Sequence, residues 1–344
     1  MSHFFKSIQI QNLLSFGPES PELELRPINL VIGPNGSGKS NLLAALSLFR
    51  PRAERRAIIE NGGGYRNWFH EFNSEPKTAV KISFGNAATW VNSYEITLNE
   101  NQNRCSFGEC VMGGVAGGTD ATRTKIAILD DELQDSIFFF RDWQYGPTAP
   151  VRYGPQPIDF SNKRIREDAR NLAHVLKRVK EDARSYSVFM EFLSELYENI
   201  DDVQFTEAED YLFFFVIEQG RKVPAARVSD GTLRYLALLA VLCDPEPPKL
   251  ICLEEPEMGL HPDLIQIVAK AIRYASQQTQ IIATTHSVLL VDKFTDSPES
   301  IVVCEKIDGS TELRRLDPEE MEPWLEEYRL GDLWTSGQIG GNRW

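Results

Sequence analysis

The sequence predicts an α/β fold in which a strand, a glycine-rich bend and a helix follow one another near the start, with an inserted antiparallel β layer and a helical subdomain before α/β alternation resumes. Three observations carry this. The stretch "VIGPNGSGKSNLL", residues 31–43, runs an apolar strand end through Gly33, Gly36 and Gly38 into a helix start. Short period-two runs, "TAVKISF", "SYEITLN" and "DSIFFF", divided by turns such as "MGGVAGGTD", occupy residues 76–145. After "DYLFFFVIE" the apolar segments alternate between helical and strand character as far as residue 316.

Each element has a local reason. "FFKSIQIQNLLSF" and "LELRPINLVIG" are strands entering the bend, and "NLLAALSLF" continues as a helix. In "SNKRIREDARNLAHVLKRVKEDA" the apolar residues Ile165, Ala169, Leu172, Leu176 and Val179 step by four and three, one helix face, with Ser161 as the expected cap. "YSVFMEFLSELYENI" predicts a second helix. Helices at "TLRYLALLAVLC" and "PDLIQIVAKAIRYAS" alternate with strands "KLICLEE" and "TQIIATT", and "SIVVCEKIDGSTELRRL" predicts a hairpin turning at Asp308-Gly309. The expected organisation is residues 1–75 as the first part of the α/β unit, 76–160 the β layer, 161–200 a helical insertion, 201–316 the second part, and 317–344 a tail.

Composition narrows the function classes. The chain has 344 residues, of which 42% are hydrophobic and 25% charged, and a net charge of -14. Such a chain buries a large core. It has no apolar run of membrane-spanning length, and "MSHFFKSIQIQNLL" lacks a signal-peptide pattern, so a soluble cytoplasmic protein is expected and membrane transport is not. The acidic balance argues against a uniformly basic nucleic-acid binder and leaves room for a local patch. Cys105, Cys110, Cys243, Cys252 and Cys304 are scattered and odd in number, which fits core thiols in a reduced compartment.

Four motifs carry chemistry. Gly33 through Lys39 and Ser40 match the spacing G-x-x-x-x-G-K-[ST], in which glycine backbone N–H groups and a helix N-terminus surround phosphate, the lysine reaches the outer phosphates and the hydroxyl meets Mg²⁺. "KLICLEEPEMGLHP" ends a buried strand in Glu254 and Glu255, one carboxylate for a metal shell and one for a water. "VSDGTLRYLALL" places Ser229 or Asp230 as the cap of a long apolar helix. "IIATTHS" sets Thr284, Thr285 and His286 directly after a strand.

In this order the motifs resemble the ABC-type ATPase heads of the SMC, RecF and OLD branch, P-loop NTPases often described as AAA family ATPases. The resemblance covers residues 1–50 and 220–305. It implies ATP and Mg²⁺ as cofactors, held by Pro34, Asn35, Gly36, Ser37, Gly38, Lys39, Ser40 and Asn41, with Lys39 and Ser40 the Walker A pair. It makes Ser229, Asp230 and Gly231 a signature loop that caps the γ phosphate of the other subunit in an ATP-sandwich homodimer. Glu254 stands at the Walker B acid, where the family usually has aspartate, and Glu255 at the catalytic base. Gly259, Leu260 and His261 match the loop that passes between subunits, and His286 the switch histidine. Gln144, beside Trp143 and Tyr145, is the expected glutamine loop.

The same resemblance implies the output. About 190 residues separate Ser40 from Ser229, too few for a long coiled-coil arm, and 58 follow His286, too few for an appended nuclease. A nucleotide-dependent switch for a separately encoded nuclease or toxin, in the manner of bacterial antiphage systems, is therefore expected. The alternatives are a RecF-like clamp that binds DNA directly and a scaffold that holds ATP without hydrolysis. Arg50, Arg52, Arg55 and Arg56, and Lys163, Arg164, Arg166, Lys177, Arg178 and Lys180, are the basic groups a DNA backbone would meet, although interleaved acids favour a solvated face. The tail, with Trp334 and Trp344, is expected either to pack on the head or to dock a partner.

Overall fold

The computed structural model describes residues 4–50, 52–69, 77–84, 92–101, 104–112, 136–141, 145–146, 148–152, 156–157, 164–166, 169–195, 199–208 and 211–341. In chain order the first elements are β1 Phe5–Gln11, β2 Leu23–Glu24, β3 Ile28–Ile32, α1 Lys39–Ser47, α2 Arg52–Asn61, β4 Lys77–Phe84, β5 Asn92–Asn101, β6 Arg104–Met112 and β7 Ile137–Phe140. There follow β8 Gln156–Pro157, α3 Leu172–Glu181, α4 Ala183–Ser194, β9 Ile200–Ala208, β10 Tyr211–Glu218, β11 Arg221–Pro224 and α5 Asp230–Leu242. The last are β12 Leu250–Glu254, α6 Ile265–Ala275, β13 Gln280–Thr285, α7 Val288–Asp292, β14 Ile301–Ile307, β15 Ser310–Arg315, α8 Pro318–Leu325 and α9 Leu330–Thr335.

Two compact units share these elements. The first comprises Met1–Phe139, Pro248–Glu254 and Thr279–Trp344. Its six-stranded sheet runs β15-β14-β3-β13-β12-β7, with β12, β13, β3 and β14 mutually parallel. Strands β3 and β13 are buried at every position, the pattern of a parallel strand covered on both faces. An antiparallel sheet β2-β1-β4-β5-β6 completes the unit. Val31, Leu42, Leu46, Cys252, Ile282 and Val302 belong to one core that also takes in Ile8 and Val80 from the antiparallel sheet.

The hairpin β14–β15 turns through Asp308 and Gly309, both at positive φ (48° and 85°), with Ile307 opposite Ser310. This is the two-residue turn that the Asp-Gly pair predicts. Strand β7 departs from expectation: "DSIFFF" joins the edge of the six-stranded sheet beside β12, because Ile137, Phe139 and Phe140 are all buried and give it no solvent face. The tail packs on its own unit. Leu330, Leu333, Trp334 and Ile339 are buried, the Gly331 N–H donates to Asp292 Oδ1 (2.7 Å) and the Trp334 indole donates to Gly341 O (2.8 Å). Trp344 lies outside the described residues.

The second unit comprises Phe140–Pro247 and Glu255–Gln278. Strand β10 pairs antiparallel with β8, β9 and β11. Helix α5 is buried from Thr232 to Leu242 except at Arg234, and is apolar nearly all round as a central helix must be. The predicted helix over residues 161–183 begins only at Leu172. Ala169 adopts a left-handed φ of 53°, and the Asn171 side chain holds the preceding backbone, accepting from Arg166 N–H (2.8 Å) and donating to Arg164 O (2.7 Å). Ile165 and Ala169 are buried all the same. Ser161 lies outside the described residues.

No described helix is long and apolar enough to cross a membrane. Cys243, Cys252 and Cys304 are buried and outside any disulfide, as core cysteines should be, while the side chains of Cys105 and Cys110 are outside the description. Trp334→Ala is expected to destabilise the first unit by about 3–5 kcal/mol, the usual cost of emptying a buried tryptophan site. A urea titration would check this, and a change under about 0.5 kcal/mol would mean that the tail is not anchored there.

Candidate functional site

In the first unit the carboxyl ends of three parallel strands come into register. Glu254 at the end of β12 sits opposite Thr284 of β13, and Thr284 and Thr285 sit opposite Val31 and Ile32 of β3. Strand neighbours stand about 4.8 Å apart. Gly33 and His286 each begin the loop that leaves their strand, so both lie at the sheet edge where open α/β folds bind ligands. The parallel pairing thus brings the phosphate loop, Glu254 and His286 to one edge, although they are distant in sequence.

The loop is built around its lysine. Lys39 opens α1 and is only 6% exposed, and its ammonium donates to Gly33 O (2.8 Å) and Pro34 O (2.9 Å). The Ser37 N–H closes on Pro34 O (3.2 Å). Gly38 is the N-cap of α1 at φ 113° and supplies no side-chain cap, so the first helical N–H groups have no competing side-chain oxygen there. A Cβ on Gly36 would meet nothing within 4 Å. Ser40, Asn35 and Gly36 are exposed while Ser37 is buried, and Asn41 is half-buried. An open glycine cradle, a sheltered ammonium and an uncapped helix start fit a triphosphate.

Glu254 is half-buried and Ser40 exposed, a carboxylate and a hydroxyl of the kind that hold Mg²⁺ together with phosphate oxygens and water. Among the described residues no group of three or more His, Cys, Asp or Glu side chains is placed to hold a metal by itself. Thr285 Oγ1 accepts from Ser287 N–H (2.9 Å), and Ser287 caps α7, which fixes the turn that leaves His286 exposed.

The second unit holds Glu255 and the predicted signature loop. Glu255 is half-buried and takes a left-handed φ of 45°, a strained conformation for a side chain of its length, worth about 1–3 kcal/mol. Its carbonyl accepts from Met258 N–H (2.9 Å), so the chain turns as soon as the acid has passed. Ser229 is the N-cap of α5, its Oγ accepting from Thr232 N–H (3.1 Å), which assigns the cap to Ser229 and leaves Asp230 in the first turn. Ser229 and Asp230 are exposed.

Two arginines that sequence reasoning missed hold this region. Arg152 donates from Nε to Tyr145 O (2.9 Å) and from Nη1 to Val228 O (2.6 Å), and pairs with the Asp230 carboxylate. Nothing in "APVRYGP" signals that. Arg234 donates to Met258 O, and a Cβ on Gly259 (φ 72°) would meet its Nη1 at 2.6 Å. Here a signal existed, because Arg234 is the one basic residue in the α5 sequence "DGTLRYLALLAVL". Its guanidinium also stands 5.9 Å from the centre of the Tyr145 ring, whose hydroxyl burial pushes well above the usual tyrosine range. Desolvation pulls Arg234 below the ordinary guanidinium value. His261 is exposed and caps the 3₁₀ turn Pro262–Leu264. Gln144 and Trp143 lie outside the described residues, and Tyr145 is buried.

The loop glycines differ in what a side chain would meet, and this gives a test. At Gly38 a Cβ would lie 2.1 Å from Thr311 Oγ1, whereas at Gly36 only the positive φ of 80° opposes one. Gly36→Ala should cost about 1 kcal/mol, and Gly38→Ala distinctly more. Equal losses in thermal denaturation would contradict the packing described.

Two family models match the chain, one described as "AAA domain, putative AbiEii toxin, Type IV TA system" over residues 129–292 and one described as "AAA domain" over residues 7–141. No curated protein matches it by sequence. Among solved structures the chain is similar to an Smc head bound to the C-winged helix domain of ScpA, at 15% identity and a TM-score of 0.64 over 93% of this chain and 99% of that one. A Pyrococcus furiosus Smc head with an extended coiled coil, bound to the C-terminal domain of ScpA, gives 14% and 0.64 over 94% and 99%. The SMC head of Thermotoga maritima gives 13% and 0.55 over 91% and 99%. At these identities the likeness is one of fold, and the two AAA-domain matches agree with the loop, sheet and strand ends described above: the chain has the P-loop α/β fold of the SMC heads.

Proposed function

We propose that this chain binds and hydrolyses ATP with Mg²⁺ in a head-to-head dimer and serves as a nucleotide-dependent switch for a separately encoded nuclease or toxin, in antiphage defence. The observation that carries the ATPase reading is the phosphate loop itself, with Lys39 folded onto the Gly33 and Pro34 carbonyls beside an uncapped helix start. ATP supplies the phosphoanhydride bond and Mg²⁺ the charge that neutralises its oxygens. Lys39 is released from the loop carbonyls to the outer phosphates, Ser40 and Glu254 hold the cation, Glu255 orients and deprotonates the attacking water, and His286 contacts the terminal phosphate. Ser229, Asp230 and Gly231 complete the site of a second copy, and Arg152 and Arg234 hold the two loops that face it.

Three things support the output. The family description names a toxin–antitoxin system, and two of the similar structures are described as bound to ScpA domains, both of which suit a head that acts through another protein. Among the described residues, several of the basic groups are already paired or buried. Arg164 and Arg178 pair with Asp244 (3.0 and 2.6 Å), Lys180 with Asp202 (2.6 Å), Lys177 with Glu207, and Arg55 is 1% exposed. Such pairing favours a protein partner over direct DNA binding.

Lys39→Ala is expected to abolish binding of a fluorescent ATP analogue. Glu255→Gln is expected to retain binding, lose at least about a hundredfold in turnover and accumulate an ATP-bound dimer in analytical ultracentrifugation. Undiminished turnover in Glu255→Gln would remove the assigned base and the switch built on it.

A further inference from the structure

Behind the phosphate loop lies a chain of hydroxyls whose direction is fixed by chemistry. Thr311 Oγ1 stands 2.7 Å from Ser37 O and 2.7 Å from Ser15 Oγ, and Asn41 Nδ2 stands 2.7 Å from Ser15 Oγ. A threonine hydroxyl has one proton and a carbonyl can only accept, so Thr311 donates to Ser37 O. Ser15 must then donate to Thr311, and Asn41 must donate to Ser15. Only one polarity satisfies all three contacts: Asn41 to Ser15 to Thr311 to the Ser37 carbonyl. The Cys304 thiol, which burial keeps protonated, reaches the same carbonyl at 3.5 Å.

The relay occupies the space that a Gly38 side chain would fill, since a Cβ there would lie 2.1 Å from Thr311 Oγ1 and 2.8 Å from Ser15 Oγ. It also joins segments far apart in sequence. The Thr311 N–H donates to Ser15 O (2.6 Å), and the Asp308-Gly309 turn sets Thr311 in register opposite Lys306. Thr311 is 0% exposed, so its hydroxyl is committed to these partners.

We propose that Thr311, with Ser15 behind it, is a positioning residue for the phosphate loop, an inference that rests on the nucleotide-site reading above. A trans peptide points its C=O and N–H in opposite directions. By holding the Ser37 carbonyl on the hairpin side, the relay turns the Gly38 N–H away from the hairpin and toward the cradle, where phosphate oxygen accepts it. The Asn41 end of the relay starts on α1 one residue after Ser40, so the same hydroxyls also fix the rotation of the helix that carries Lys39 and Ser40.

The test compares Thr311→Val, which keeps the shape and removes the donor, with Thr311→Ser, which keeps the donor, measuring the ATP Kd, the KM and the kcat of each. Thr311→Val is expected to weaken ATP binding about tenfold and Thr311→Ser less than about twofold, with the larger change in KM rather than kcat. Should Thr311→Val fail to fold, Ser15→Ala carries the test with an expected loss of about threefold. Parental affinity in Thr311→Val, or in Ser15→Ala where that variant is used, or equal weakening by Val and Ser, overturns the proposal. Lys39→Ala run alongside separates the failures: if it binds ATP as the parent does, the phosphate-loop reading falls and takes the relay's role with it.

Discussion

The site depends on one constraint, a stretch of backbone from Gly33 to Lys39 held in shape by its own lysine and by the hairpin behind it. The loop has few side chains of its own to set its path. Its conformation comes from the Lys39 ammonium drawn onto two carbonyls within it, and from Thr311 and Cys304 drawing the Ser37 carbonyl outward. On the proposed reading, the lysine that shapes the loop through these carbonyls turns to phosphate when a nucleotide arrives.

What the loop leans on explains much of the first unit. Gly33 lies so close to Cys304 O that a Cβ would approach it to 2.1 Å, and a Cβ on Gly341 would meet the Gly33 Cα at 3.5 Å. Gly341 is in turn tied to Glu305 (2.7 Å) and to the Trp334 indole. The hairpin and the tail are therefore not appendages. They brace the back of the loop while the carboxyl ends of β12 and β13 present acid and histidine beside it.

The sequence made the loop legible because its chemistry is local: glycines, lysine and serine must stand at fixed spacing to surround phosphate, and no tertiary contact changes that. The strand ends carrying Glu254 and His286 were legible for the same reason, as was the Asp308-Gly309 turn. The early start expected for the helix over residues 161–183 failed because its apolar stripe is real but is buried in part by a non-helical segment, with Asn171 bonding backbone that a helix would have used. Periodicity reports burial, and burial does not require helix. Ser15, Thr311 and Arg152 were illegible for a different reason. Each acts on a hydroxyl or a backbone carbonyl tens or hundreds of residues away, and a hydroxyl or guanidinium that serves a distant group looks in sequence like any other.

The central claim is that a complete site takes Lys39 from one copy and Ser229 from another. It is tested most directly by mixing two chains that are each inactive alone, one carrying Lys39→Ala and the other Ser229→Arg. In a mixed dimer one site unites an intact Lys39 with an intact Ser229 and the other site has neither. The account predicts that an equimolar mixture recovers about a quarter of parental ATP turnover, since half of randomly formed dimers are mixed and each has one sound site. A mixture no more active than its separate components would show that the signature serine does not act across a dimer, and would contradict the account.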